Sequence, residues 1–212
     1  MKKSIVALAI ISGSIFFISC EKDNINGSGT PQTRTVNDLP ADTIIGISSI
    51  GQPYGSGKFT LYSLETNSII ANTDSATAKW DLGFRGTTII TNSGTGGPGG
   101  GGAFVYTGNF SDLKEISVDS VFRTDNAPVY AIRTGSGNGW YNYNGATQLV
   151  TPIPGRVLVI RTASGKYAKV EILNYYKGGV TPDASAPDNE KISKQRYYTF
   201  RFAYQSDGTK NF

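Results

Sequence analysis

Short runs of β-branched and aromatic residues recur along most of this chain, separated by Gly, Asn, Pro and Asp. From Ile44 onward no segment keeps a helical period, whereas several runs alternate between apolar and polar positions. Alternate side chains of a strand point to the same face, so this alternation indicates strands with one buried face. The pattern predicts one all-β domain over residues 42–212, with antiparallel strands.

Two alternating runs define the predicted core. Residues 79–92 are predicted to form one strand, whose buried face would consist of Trp80, Leu82, Phe84, Thr88 and Ile90. Residues 197–205 alternate in the same way, and Tyr198, Phe200 and Phe202 lie on the predicted buried face. Both faces therefore provide large apolar side chains for a core.

A third run is apolar without interruption. Residues 157–160 read Val-Leu-Val-Ile, which predicts a strand covered on both faces. The sequence Ala-Ser-Gly at 163–165 is typical of a tight turn, and a further strand is predicted at 166–177. We expect these two strands to form a hairpin.

The start of the chain has the order of a bacterial lipoprotein signal. A basic segment at 1–3 precedes an apolar stretch at 5–18, the small residue Ser19 and then Cys20. The sequence Phe-Ile-Ser-Cys at 17–20 resembles a lipobox. We therefore predict a signal peptide over residues 1–19 and lipidation at Cys20, the alternative being a plain secretory signal with a chance Cys.

Residues 20–41 are predicted to form the lipidated N-terminus and a flexible tether. The stretch from Glu21 to Pro40 is rich in polar residues and Gly and has no aromatic residue, so it lacks the apolar area needed to order itself. Such a tether would hold the domain about 25 Å from the bilayer. The protein would then be attached to the membrane by its lipid anchor only.

Composition narrows the chemistry of any site. The sequence has no His, its one Met is Met1 and its one Cys is Cys20. Zinc hydrolases, Ser-His-Asp enzymes and Cys-His enzymes need side chains that are missing here, so we do not predict an enzyme. Removal of the signal peptide also removes Lys2 and Lys3, which leaves a nearly neutral protein with no expected nucleic-acid partner.

A glycine-rich loop at 93–102 contains the spacing G-x-G-x-x-G at Gly94, Gly96 and Gly99. A dinucleotide site needs a helix after this loop, but the β pattern resumes at 103–106. No nucleotide is therefore expected. We predict a mobile loop, because its glycines leave the backbone unrestrained.

Four carboxylates follow this loop, at Asp112, Glu115, Asp119 and Asp125. Their spacing is not that of a calcium-binding loop, and the chain lacks the His and Cys ligands that zinc prefers. We interpret them as solvated surface groups and predict neither calcium nor zinc.

An aromatic segment is the strongest candidate for binding. Trp140, Tyr141 and Tyr143 stand beside asparagines, and amphipathic rings beside amides are suited to contact a sugar or a porphyrin. The alternative is strand packing that ends in the Asn-Gly turn at 144–145.

Several segments of the domain agree, in order, with one family pattern. They lie at 79–85, 91–94, 139–143, 152–157, 165–172, 175–177 and 198–208. In these segments the chain resembles the HmuY family of Bacteroidota lipoproteins. The resemblance implies a single antiparallel β domain, anchored at the outer membrane and exposed on the cell surface. It also implies capture of haem, free or from a haem-bearing protein, and delivery to a TonB-dependent receptor.

The sequence departs from this family at the iron ligands. The founding member holds haem iron between two His and relatives use Met, whereas Gln148 occupies a stretch where many relatives have His. Glutamine is a poor iron ligand, so haem would bind through a Tyr phenolate, by apolar sandwiching alone, or not at all. The candidate haem contacts are Tyr141, Tyr143, Trp140 and Gln148. The alternative function is a surface module for a glycan, a peptide or an outer-membrane partner.

Overall fold

The computed structural model describes residues 31–212, so the predicted signal peptide and the lipidation at Cys20 lie outside the described residues. Thirteen strands are present in this part of the chain: β1 (Thr33–Pro40), β2 (Gly46–Ile47), β3 (Pro53–Tyr54), β4 (Thr60–Ser63), β5 (Ser68–Ile70), β6 (Leu82–Arg85), β7 (Thr88–Thr91), β8 (Gly102–Thr107), β9 (Tyr141–Asn144), β10 (Leu149–Pro152), β11 (Arg156–Arg161), β12 (Tyr167–Tyr176) and β13 (Gln195–Gln205). One α-helix, α1 (Asp188–Lys194), and two 3-10 turns, Asn72–Asp74 and Lys177–Gly179, complete the described elements.

The strands form two larger sheets and two ribbons, and every pairing is antiparallel. The five-stranded sheet has the order β1-β13-β12-β11-β8, and the four-stranded sheet has the order β5-β4-β6-β7. The ribbons are β9-β10 and β2-β3. The predicted all-β antiparallel class is therefore confirmed. Over residues 31–212 no helix is both long and apolar enough to cross a bilayer.

The main core lies between the two larger sheets. Phe84 of the four-stranded sheet stacks on Phe200 of the five-stranded sheet with ring centroids 5.6 Å apart, and Tyr62 meets Phe200 edge-on at the same distance. Phe84, Tyr198, Phe200 and Phe202 are all completely buried. The predicted burial of the Tyr198, Phe200 and Phe202 face is therefore confirmed.

The five-stranded sheet is covered on its other face as well. Val157 and Val159 of β11 pack there in a second apolar cluster with Phe110, Ile116 and Phe212. Leu158 and Ile160, which alternate with these valines, face the main core instead. The predicted burial of residues 157–160 on both faces is confirmed, and so is the hairpin of β11 and β12.

The prediction of a single strand at 79–92 is wrong, because this segment contains two strands, β6 and β7, which form a hairpin. The chain reverses after Arg85 through Gly86 and Thr87, and Gly86 has a φ of +55°. Glycine adopts this left-handed conformation without steric cost, which favours a tight hairpin turn. The predicted common face is therefore also wrong: Leu82 and Phe84 pack in the main core with Ile89, whereas Trp80 and Ile90 pack in a separate cluster.

The tether predicted for residues 20–41 extends too far, because residues 33–40 form β1 at the edge of the five-stranded sheet. β1 satisfies backbone groups along β13 that would otherwise form the sheet edge, and Leu39 is buried in the main core. Most side chains of β1 are polar. Backbone hydrogen bonds to β13 therefore hold it in place more than apolar packing does. Composition is a weak signal for such a strand.

The glycine-rich loop leads directly into β8, as predicted, but its backbone is not unrestrained. Asn92, which is completely buried, accepts a hydrogen bond from the Gly99 N–H at 2.8 Å, and its carbonyl accepts one from the Gly101 N–H at 3.0 Å. A Cβ at Gly97 would lie 2.5 Å from the Trp80 ring. The expectation of a free loop is wrong: the glycines allow close packing of backbone against side chains.

Buried tyrosines predict loss of stability at high pH. Burial raises the pKa of the Tyr62 phenol to about 12, although the charge of Arg34 opposes the shift. Burial likewise raises the pKa values of Tyr175, Tyr198 and Tyr204. An unfolded tyrosine ionises near pH 10, so this stabilising contribution is present below about pH 10 and is lost as the pH rises through 12.

We therefore expect alkaline unfolding to coincide with phenol ionisation, observed together by circular dichroism and ultraviolet absorbance. Tyr62→Phe should reduce the loss of stability above about pH 10, because it removes a phenol whose pKa is raised by burial. Ionisation of all phenols near pH 10 without unfolding would contradict this prediction.

Candidate functional site

A cleft of about 250 Å³ lies where both ribbons meet α1. We call it the amide cleft; it is lined by Gly51, Gln52, Pro53, Tyr143, Gln148, Lys191, Ile192 and Gln195. Tyr143 and Gln148, two of the four residues proposed from the sequence, thus line one site. Three glutamine amides, a phenol and an ammonium group give the cleft a polar wall.

The ribbon of β9 and β10 positions Tyr143 and Gln148. The Asn144 side chain accepts hydrogen bonds from the backbone N–H groups of Ala146 and Thr147, at 2.9 and 3.2 Å, which closes the turn between the two strands. Asparagine favours such turns because its amide oxygen replaces a backbone acceptor. Tyr143 lies just before this turn and is 50% exposed.

Gln148 joins the turn to the helix. Its φ of +56° is unusual for a residue with a side chain, and its Nε2 donates a hydrogen bond to Asp188 Oδ2 at 3.3 Å. Asp188 is the first residue of α1. The backbone at Gln148 therefore aims the amide across the cleft towards the helix.

Trp140 and Tyr141 do not line the cleft. Trp140 is 1% exposed and its Nε1 donates to the Thr87 carbonyl at 3.0 Å. The Tyr141 hydroxyl accepts a hydrogen bond from Thr87 Oγ1 at 3.2 Å, and both rings belong to the main core. The two residues support the base of the ribbon, which agrees with the packing alternative for this segment.

The helix contributes a lysine that is paired with an aspartate of the same helix. Lys191 is 7% exposed, and its Nζ donates to the Ala184 carbonyl at 2.8 Å and lies 4.0 Å from Asp188 Oδ1. The long apolar stem of a lysine packs against the protein while its ammonium group reaches polar partners. Sequence reasoning did not identify Lys191, because it is one of several basic residues in the C-terminal quarter of the chain that are expected to face solvent.

Arg196 fixes the other wall. Its Nη1 donates to the Asp42 carbonyl at 3.0 Å and its Nη2 to the Pro53 carbonyl at 3.4 Å, which ties the segment before β2 and the start of β3 to β13. The contributions of Gln52 and Gln195 were also missed. These residues are far apart in the sequence, and no local motif signals that they meet.

Only one tyrosine of the cleft presents an accessible phenol. Tyr176, near Tyr143, is 1% exposed, accepts a hydrogen bond from the Val150 N–H at 2.9 Å, and has a pKa raised by burial. A phenol with a raised pKa stays protonated at neutral pH and is a weak ligand for ferric iron. The Tyr143 oxygen is therefore the one phenol donor available to a ligand in this cleft.

The donor set of the cleft fits haem only through Tyr143. The sequence has no His, and Met1 and Cys20 lie outside the described residues, so imidazole and thioether ligands are missing from the cleft. Its volume is slightly below the range of about 300–1,000 Å³ that is usual for small-molecule sites. A haem would thus lie partly outside the cleft, or the two ribbons would separate. Among the described residues no group of three His, Cys, Asp or Glu side chains is placed to hold a metal ion.

A larger concavity lies elsewhere in the described part of the chain. A groove of about 770 Å³ follows β8, and it contains none of the residues proposed from the sequence. We place the candidate site at the amide cleft because chemistry, and not size, distinguishes it: an exposed phenol, three amides and a lysine converge there.

Comparison with known proteins identifies the family. The HmuY protein family matches residues 56–185, more than half of the chain. A solved structure from Bacteroides vulgatus, described as an HmuY-like haem-binding protein, is 15% identical and covers 81% of this chain and 91% of its own, with a TM-score of 0.51. A lipoprotein structure from Bacteroides fragilis is 18% identical and covers 81% of this chain and 89% of its own, with a TM-score of 0.50.

At these identities the two structures show a shared fold. No curated protein matches the chain. The family match is independent of them and includes β9, β10 and the segments on either side of these strands. The chain belongs to the HmuY protein family.

Proposed function

We propose that this protein is a lipoprotein that binds haem at the amide cleft. Membership of the HmuY family, over a range that includes Tyr143 and Gln148, carries the proposal. The solved structure from Bacteroides vulgatus, described as haem-binding, supports it. The protein would act by binding and release without catalysis, since the cleft offers ligands and hydrogen-bond donors and no paired acid and base.

Tyr143 is the proposed iron ligand. A phenol has an ordinary pKa of about 10, so it binds iron at neutral pH when a nearby positive charge stabilises the phenolate. Ferric iron would provide such a charge. Gln148 would contact the ligand through its amide, while Trp140 and Tyr141 would support the ribbon from the core.

Titration of ferric haem into the purified protein in detergent tests this assignment. We expect a shift of the Soret band that is lost or weakened at least about tenfold in Tyr143→Phe, because tyrosinate is the one strong donor at the site. Tyr54→Phe is the matched control, since Tyr54 and Tyr143 are both 50% exposed. Reduction with dithionite should weaken binding, as Fe²⁺ attracts a phenolate less strongly.

Two results would contradict the proposal. The absence of a Soret change in either redox state would exclude haem binding. Tight binding that is stronger in the ferrous state and unaffected by Tyr143→Phe or Tyr141→Phe would exclude tyrosinate ligation at these positions.

The polar wall of the amide cleft favours a second function, binding of a glycan. Gln52, Gln148 and Gln195 provide donors and acceptors beside the half-exposed ring of Tyr143, and a sugar stacks on a ring while it bonds to amides. This function predicts no Soret change with haem. Gln148→Ala should then weaken glycan binding, measured on an array of bacterial and host glycans.

We further propose that Cys20 is lipidated, that the protein is exposed at the surface of the outer membrane, and that it passes haem to a TonB-dependent receptor. Proteins of this type need a covalent anchor because the signal peptide is removed. Cys20→Ala should abolish acyl labelling and release the protein from the membrane fraction. A Cys20→Ala variant that keeps its acyl label and stays in the membrane fraction would contradict the assignment of Cys20.

A further inference from the structure

β8 is an edge strand of the five-stranded sheet, and part of its outer side is open. Ala103 is bridged on that side by Arg123, with N–H to carbonyl distances of 2.9 and 3.0 Å. Hydrogen-bonding directions alternate along an antiparallel strand, so Val105 and Thr107 also direct their N–H and C=O groups away from β11. Within residues 31–212 no other backbone pairs with these groups.

The open edge faces the groove of about 770 Å³. Its apolar lining consists of Phe104, Val105, Val121 and Ala131, and its polar lining of Ser120, Arg123, Arg133 and Asn138. Val121 is 75% exposed, and the nearby Val118 and Val129 are 79% and 61% exposed. Exposed apolar side chains beside unpaired strand groups are typical of a surface that another segment covers.

Two arginines, Arg123 and Arg133, line the groove. Arg123 and Arg133 form no ion pair or side-chain hydrogen bond within the described part of the chain, and no carboxylate lines the groove. Of the two acidic residues nearest along the sequence, Asp119 is exposed next to the lining residue Ser120, and Asp125 is 1% exposed and accepts hydrogen bonds from the backbone N–H groups of Thr91 and Ala131. Guanidinium groups bind carboxylates with two parallel hydrogen bonds.

We propose that this groove binds an extended acidic peptide segment of a partner protein, which adds to β8 as a further strand. The peptide backbone would pair with Val105 and Thr107, its apolar side chains would cover the exposed valines, and its carboxylates would bind Arg123 and Arg133. Addition of a strand provides affinity through the backbone, while alternate side chains provide specificity. The charge of the groove selects an acidic partner over a basic one.

This surface is separate from the amide cleft. The two concavities share no lining residue, and the proposal does not depend on haem binding. If the protein binds the peptide but not haem, the haem proposal fails and this one stands. If it binds haem but not the peptide, this proposal fails and the haem proposal stands.

Binding of labelled peptides to the full chain, measured by fluorescence anisotropy, tests the proposal. The probe is a peptide of about six residues, the usual length of a strand, with alternating Glu and Val. Its controls are the matching Lys-Val peptide and a Glu-Val peptide with N-methyl groups on alternate residues. N-methylation removes backbone donors and blocks strand pairing, while the charge of the peptide is kept.

We expect the Glu-Val peptide to bind, and the Lys-Val peptide to bind at least about tenfold more weakly. The double variant Arg123→Gln and Arg133→Gln should weaken binding about five- to tenfold, because both side chains are exposed and their ion pairs are screened. Arg34→Gln is the matched control, since Arg34 is an exposed arginine on β1, the opposite edge strand of the same sheet.

Four results would overturn the proposal. Equal binding of acidic and basic peptides would exclude charge selection. Equal binding of the N-methylated peptide would exclude strand addition. Equal loss of binding in Arg34→Gln and in the double variant would show a general charge effect. Dimerisation of the chain through β8 would show that a second copy occupies the edge.

Discussion

Phe200→Ala should reduce the free energy of unfolding by about 3–5 kcal/mol, among the largest losses expected from one substitution in this protein. Phe200 is completely buried at the centre of the interface between the two larger sheets, where its ring meets Tyr62, Phe84 and Phe202 with centroids 5.6 to 6.1 Å apart. Truncation removes apolar contacts with both sheets and leaves a cavity that rigid strands fill only in part.

The measurement is denaturant unfolding, with the midpoint and slope compared for both proteins. Phe59→Ala is the control, since Phe59 is only partly buried and its ring lies beneath the Arg85 guanidinium at 4.2 Å. Phe59→Ala should reduce the free energy of unfolding by much less than Phe200→Ala. A loss below about 1 kcal/mol for Phe200→Ala would contradict its place in the core.

Asp125→Ala should destabilise the protein by about 2–5 kcal/mol, because it leaves two buried N–H groups without an acceptor. The carboxylate of Asp125 accepts hydrogen bonds from the Thr91 and Ala131 N–H groups, both at 2.7 Å. Its side chain thereby joins the end of β7 to the segment before β9. Burial raises the pKa of this carboxyl, and the two backbone donors oppose that shift.

Thermal unfolding of Asp125→Ala and Asp119→Ala, which removes an exposed carboxylate of the same loop, provides the comparison. Equal stability of the two variants would show that Asp125 is not a structural acceptor. Asp125→Asn should give an intermediate loss, since an amide oxygen replaces one acceptor and the amide nitrogen replaces none.

The behaviour of Asp125 shows where sequence reasoning fails. It was interpreted as a solvated surface group with Asp112, Glu115 and Asp119, and the other three are exposed. Asp125 is 1% exposed because backbone N–H groups from two separate segments converge on it. Nothing in its neighbours along the chain indicates those donors.

The candidate site likewise combines residues that were proposed from the sequence with residues that only the structure brings together. Tyr143 was recognised from a local aromatic pattern beside asparagines, and Gln148 from the resemblance to the HmuY family, in a stretch where many relatives have His. Gln52, Lys191 and Gln195 were not, since they reach the amide cleft from β2–β3 and the α1 region. Trp140 and Tyr141 were proposed on the same aromatic pattern, but their register places both rings in the main core.

Local patterns in the sequence are enough to predict the all-β class, the hairpin of β11 and β12, the buried faces of β11 and β13, and the lack of imidazole ligands. Strand alternation and composition are local properties, so they can be read without knowledge of distant contacts. The tertiary structure alone decided that residues 33–40 form an edge strand, that the glycine-rich loop is packed, and which side chains line the amide cleft. Those features depend on which distant backbone groups pair and which surfaces are covered, and the packing of the sheets sets both.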